Sequence, residues 1–138
     1  MKKIVFFSAI ALLCASVVFA AGITKKSLAD LKGTWEGTAQ TGGSASCNVK
    51  IEIMNAAEPV EAKMTLTGLP AKAKEDYGIS DPLTGESKSG KITSAGTIMF
   101  LGQSPSNFFE ITSIGKDKKL NGWFFFNGLK ANVSATKK

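Results

Sequence analysis

The sequence predicts an all-β protein: one antiparallel up-and-down β-barrel of about eight short strands, preceded by a short helical turn. Three observations carry that expectation. Cys47, Val49, Ile51 and Ile53 alternate with Asn48, Lys50 and Glu52, and Val60, Ala62, Met64 and Leu66 alternate with Glu61, Lys63, Thr65 and Thr67. A strict period of two gives each run one apolar and one polar face, as an antiparallel pair over a core requires. Near the C-terminus, Asn127-Gly128 separates two further runs, and both residues tolerate the positive φ of a type I′ hairpin turn. The other strand-like runs are also short and are joined mainly by tight turns, the pattern of a barrel or closed sandwich.

The N-terminus is of another kind. Met1-Lys2-Lys3 is a short basic start, and Ile4 to Leu13 is apolar apart from Ser8. Val18-Phe19-Ala20 then offers short side chains where a signal peptidase reads, so residues 1–20 are expected to be a signal peptide cleaved before Ala21. A lipoprotein signal ending at Cys14 is disfavoured because bulky Leu13 stands where a small residue is needed. The segment is too short for a membrane span, and no other apolar run approaches the roughly 20 residues that a transmembrane helix needs. The Lys-Lys start looks bacterial, which places the mature protein, residues 21–138 as a single domain, in the periplasm or the medium.

Within that domain, Gly22 to Lys26 reads as a lead-in. Ser27 with Asp30 three residues on resembles a capping box, which predicts a helical turn before Leu31. Gly33 opens the first strand, Thr34 to Gln40. The hairpin of alternating strands follows, turning through Asn55 to Pro59. Residues 68–90 are rich in glycine, proline, lysine and acids, with Leu69, Tyr77, Ile79 and Leu83 as the apolar anchors. This stretch reads as a long loop, of the sort that often carries function, with room for an irregular strand or turn. Lys91–Ser94 and Thr97–Leu101 form a hairpin around Ala95-Gly96, residues 102–106 a loop, and Phe108–Ile114 a further strand.

The last hairpin, Leu120–Phe126 and Leu129–Thr136, has its register fixed by the two-residue turn. Phe126 faces Leu129, Phe125 faces Lys130, Phe124 faces Ala131 and Trp123 faces Asn132. One face then carries Leu120, Gly122, Phe124, Phe126, Leu129, Ala131, Val133 and Ala135, all apolar. It belongs to the core, since a slip of one residue would expose it entirely. Trp123 and Phe125 fall on the opposite, outer face. Phe108 joins them there, because Phe109 shares the inward phase of Ile111.

Composition removes several classes of function. The 17 basic residues are all lysines, and the formal net charge of +6 drops to +4 once Lys2 and Lys3 are cleaved away. Without arginine, and with lysines scattered along the chain, nucleic-acid binding is not expected. Without histidine, the commonest general base and metal ligand is missing. Cys47, the one cysteine of the mature chain, can form no internal disulfide. On an apolar strand face, it reads as a small buried hydrophobe without the neighbours that activate a thiol. Glu75-Asp76, a paired-carboxylate candidate for acid–base work, falls in a solvated stretch where plain surface charge is expected, and Asp76, Asp81 and Glu86 match no calcium-binding spacing. Neither an enzyme, nor a metal site, nor a cofactor is expected.

Leu31-Lys32-Gly33-Thr34-Trp35 after a helical turn resembles the opening of the calycin barrels, the lipocalin and avidin group, and the closing segment from Leu120 resembles the last hairpin of small exported lipocalin-like proteins. That resemblance implies a barrel with Trp35 plugging one end behind Gly33, and an interior able to take a small apolar ligand. Leu31-x-Gly33-x-Trp35 with Cys47-x-Val49-x-Ile51 is also similar to the small periplasmic barrel inhibitors of metalloproteases. The expected function is that of a non-enzymatic exported binding module. Its partner is either a small apolar ligand in the barrel or a protein on the outer face at Trp123, Phe125 and Phe108. The alternative is a periplasmic or secreted inhibitor of an enzyme such as a protease. An interior filled by Ile51, Ile53, Met64, Phe100, Phe124 and Phe126 would favour the outer face; an open one would favour the ligand.

Overall fold

A computed structural model describes residues 22–41, 45–102 and 107–138. The expected signal peptide, residues 1–20, and its expected cleavage before Ala21 fall outside the described residues, as does most of the expected loop 102–106. Among the described residues eight strands follow one another: β1 (Gly33–Gln40), β2 (Ser46–Ile53), β3 (Val60–Thr67), β4 (Leu83–Ile92), β5 (Ile98–Leu101), β6 (Phe108–Ile114), β7 (Lys119–Phe126) and β8 (Leu129–Lys137). Helix α1 (Ser27–Leu31) precedes β1 and helix α2 (Ala71–Tyr77) joins β3 to β4. Each strand pairs antiparallel with the next, and β8 returns to β1, giving a closed up-and-down barrel.

The period-two runs pack as their pattern dictates. Trp35 pairs with Ile51, Ala39 with Cys47, Ile51 with Met64 and Val49 with Leu66, so the inward residues of β1, β2 and β3 meet in layers. Cys47, Val49, Ile51 and Ile53 are all buried, while Asn48 and Lys50 face solvent. The last hairpin adopts the expected register, with Asn127 at φ 49° and Gly128 at φ 92° in its turn. Phe124 is buried and Phe126 half-buried on its inner face.

One end of the barrel is closed by α1. Leu28, Leu31 and Trp35 are buried there, and the Trp35 indole donates from Nε1 to the Leu31 carbonyl at 2.7 Å. That bond satisfies both a buried N–H and one of the unpaired carbonyls at the helix end. Lys137 Nζ lies 5.8 Å from the Trp35 ring centroid and donates to the Asp30 carbonyl at 2.7 Å. The expected capping box does not form. Ser27 lies inside the helix, Lys26 occupies the cap position without a side-chain bond, and Ser27 Oγ instead accepts from Thr24 N–H.

The reading of 68–90 as a long loop is corrected. Pro70 and Gly78 bracket α2; Gly78, at φ 62°, provides the left-handed residue that ends it. Residues from Leu83 onward form the first half of β4, a strand that begins eight residues earlier than Lys91. The strand escapes pattern reading because its inward residues include Gly85, Ser87 and Gly90 in place of large apolar side chains. Backbone pairing with β3 defines it instead, through Met64–Gly85, Ala62–Ser87 and, after a bulge, Val60–Gly90. Leu69 and Ile79, on either side of α2, are buried at the barrel end opposite α1, and Asp81 accepts from the Leu69 N–H at 3.0 Å.

Candidate functional site

The barrel is closed but unevenly stitched. Strand β5 has only four residues, and its ladder with β4 has only the pairs Lys91–Met99 and Ile92–Ile98. Farther along this seam, serine side chains replace the ladder. Ser87 Oγ donates to the Leu101 carbonyl at 2.8 Å, and the Leu101 N–H donates to Ser89 Oγ at 3.0 Å. Past Ser87 the edge of β4 runs free of β5.

A cavity of about 510 Å³ opens there. Ile51, Ala62, Met64, Phe100, Phe109 and Phe124 form its inner wall, and Thr84, Glu86, Ser87, Asn107, Phe108, Phe125 and Phe126 its rim. Six of these lining residues are phenylalanines, and Glu86 is the one charged side chain among them. The space exists because the inward positions of β4 between Gly85 and Gly90 contribute almost no side-chain volume. A Cβ added at Gly85 would meet nothing within 4 Å. At Gly90 the reverse holds: a Cβ would sit 2.4 Å from the Phe100 ring, so that ring leans onto the glycine and fills the lower barrel. Phe100 also stacks on Phe109, with centroids 5.7 Å apart, which fixes the floor of the cavity.

Most of the residues expected to point inward therefore do so without filling the interior. Ile51, Met64, Phe100, Phe124 and Phe126 line the cavity, whereas Ile53 lies in the packed core. Sequence reasoning missed the β4 wall at Gly85 and Ser87. The signal was present as glycine and serine recurring every second residue in Gly85-x-Ser87-x-Ser89, a strand pattern in small residues.

Trp123, Phe125 and Phe108 lie together on the outer face, each half-buried. Phe108 meets Trp123 edge-on at 4.8 Å and stacks on Phe125 at 6.0 Å. Lys130 Nζ sits 4.8 Å over the Trp123 ring, so the cation–π contact falls on the tryptophan and not on Phe125, its cross-strand partner. Trp123 Nε1 donates to Glu110 Oε1 at 2.7 Å, and Thr97 Oγ1 donates to Glu110 Oε2 at 2.8 Å. Phe108 and Phe125 belong to both settings, since they also edge the cavity mouth.

Cys47 is buried and away from the cavity lining. Burial raises its thiol pKa, and the negative charge of Asp81 adds to the rise, so the reactive thiolate is suppressed. Among the described residues, no three of His, Cys, Asp and Glu gather as they would around a metal ion, and no helix is long and apolar enough to cross a membrane.

Fold and site together define the class: an eight-stranded antiparallel up-and-down barrel with an aromatic cavity open at its side. It is consistent with a calycin-like fold in general. Comparisons with family models, with curated proteins and with solved structures found no match.

Proposed function

We propose that this protein is a non-enzymatic, exported binding module that holds a small apolar ligand in the side-opening cavity of its barrel. The observation that carries the reading is the cavity itself: about 510 Å³, walled by phenylalanine, isoleucine and methionine, in a domain with few side chains to spare. Ligand sites fall in this size range and combine apolar walls with a few polar groups at the rim. Thr84, Ser87 and Asn107 supply such groups here. Among the described residues the lining carries one ionisable side chain, exposed Glu86, where acid–base chemistry uses paired groups. Export rests on the signal-peptide character of residues 1–20, which places the protein in the periplasm or the medium.

The test is native mass spectrometry of the protein purified from its own host, followed by titration with the uncharged fluorescent probe N-phenyl-1-naphthylamine. A retained small molecule, or saturable one-to-one probe binding, is the expected result. Absence of both would overturn the proposal.

A further inference from the structure

The outer face of the barrel beside the cavity mouth has a defined layout. Pairing across β5, β6, β7 and β8 places Leu101, Phe108, Phe125 and Lys130 in one row. The adjacent row on the same face runs Lys91, Met99, Glu110, Trp123 and Asn132. Five apolar side chains thus form a continuous strip with an exposed lysine at each side, Lys91 on β4 and Lys130 on β8. Leu101 is 53% exposed, a high value for a leucine in a strand. The one acid within the strip is engaged, since Glu110 accepts from Trp123 and Thr97 through its two oxygens.

From this we infer that the strip docks on an anionic lipid surface. Charge complementarity selects that occupant. Aromatic and aliphatic side chains suit the boundary between headgroups and acyl chains, and tryptophan, with its polar N–H, is favoured at that level. Lysines beside such a strip can lay their stems along it and direct their charges to lipid phosphates. Among the described residues no free carboxylate lies within the strip, and the chain without residues 1–20 keeps a formal net charge of +4. Phe108 and Phe125 belong to both strip and rim, so docking would bring their side of the cavity mouth to the bilayer, with exposed Glu86 on the opposite, β4 side of the mouth. The inference goes beyond the cavity reading and does not depend on it, since vesicle binding is measurable with the cavity empty.

The experiment uses the protein as its host makes it, with phosphatidylcholine vesicles and with vesicles of equal parts phosphatidylcholine and phosphatidylglycerol. Co-sedimentation is expected with the anionic vesicles alone, together with a blue shift of Trp123 emission; Trp35 is buried and should not respond. Lys91→Gln with Lys130→Gln should weaken binding about 25-fold, since each lysine near an anionic surface contributes roughly a factor of five. Lys25→Gln with Lys32→Gln, a charge-matched control at the α1 end, should have much less effect. All the altered lysines are exposed, and melting curves would verify that both variants fold. No binding to anionic vesicles would overturn the inference, and so would equal loss in the two double variants. A dimer in sedimentation equilibrium that Leu101→Thr abolishes would also overturn it, by assigning the strip to a second copy of the chain.

Discussion

Filling the cavity from the β4 wall offers a direct test of its being open. Gly85 faces Met64 across the β3–β4 ladder, lies in the cavity lining, and has nothing within 4 Å of the position of an added Cβ. Replacing it with leucine sends an isobutyl group toward the void from a Cβ that displaces no neighbour. Full burial of a leucine side chain contributes about 1.5–3 kcal/mol. One side of this cavity is open, so roughly half, about 1–1.5 kcal/mol, is expected. Removing a glycine from a strand interior adds about 0.5 kcal/mol. Gly85→Leu should therefore stabilise the protein by about 2 kcal/mol, which raises Tm by about 8 °C for a domain of this length. The same side chain should weaken binding of N-phenyl-1-naphthylamine by at least about tenfold, or 1.4 kcal/mol. Melting should be followed by far-UV circular dichroism without dye, because a hydrophobic dye would occupy the site. A Tm lowered by several degrees with probe affinity unchanged would refute the reasoning, since it would mean that Gly85 faces packed atoms.

Three further outcomes follow from the packing. Gly90→Ala should destabilise by about 1–3 kcal/mol in urea melts, because the new methyl meets the Phe100 ring at 2.4 Å and the Val60 carbonyl at 2.8 Å; unchanged stability would mean that Phe100 does not rest there. Trp35→Ala removes the largest fully buried side chain and the bond to Leu31. Its expected cost of roughly 3–5 kcal/mol would leave much of the protein unfolded, and a near-native Tm would contradict the plugged end. Cys47→Ala should cost about 1 kcal/mol, and the native thiol should react slowly with a labelling reagent. Because burial raises the Cys47 pKa, the folded state holds that proton more tightly than the unfolded chain does. Its contribution is then complete below the unfolded thiol value near 8.5 and declines as pH rises through the folded value. Urea midpoints from pH 7 to 10 should fall more steeply for the native protein than for Cys47→Ala; parallel curves would refute the assignment.

Legibility in the sequence tracked side-chain size. Runs with large inward residues, such as Val49, Ile51 and Ile53 or Phe124 and Leu129, declared both strand and register, because alternation is visible only where burial demands apolar bulk. The Asn127-Gly128 turn carried that register to single-residue accuracy and placed Trp123 and Phe125 outside. Residues 68–90 failed the same reading because α2 is seven residues long and β4 turns Gly85 and Ser87 to the cavity. A strand that lines a cavity has no core to fill, so glycine and serine replace the residues by which a strand is usually recognised. The candidate site was thus half visible: its phenylalanine wall on β5, β6 and β7 could be named, but its opposite wall could not.

The sequence by itself determined the class of fold, the hairpin order, the buried placement of Cys47 and the aromatic outer face, all of which depend on local periodicity and turn chemistry. Tertiary structure alone decided that the interior stays open and where it opens. Both depend on how few side-chain atoms β4 offers opposite Phe100 and Phe124, and on a four-residue β5 that leaves the seam with β4 to two serines. Those are properties of strands brought together across the barrel, and no pattern within a single strand records the volume left between them.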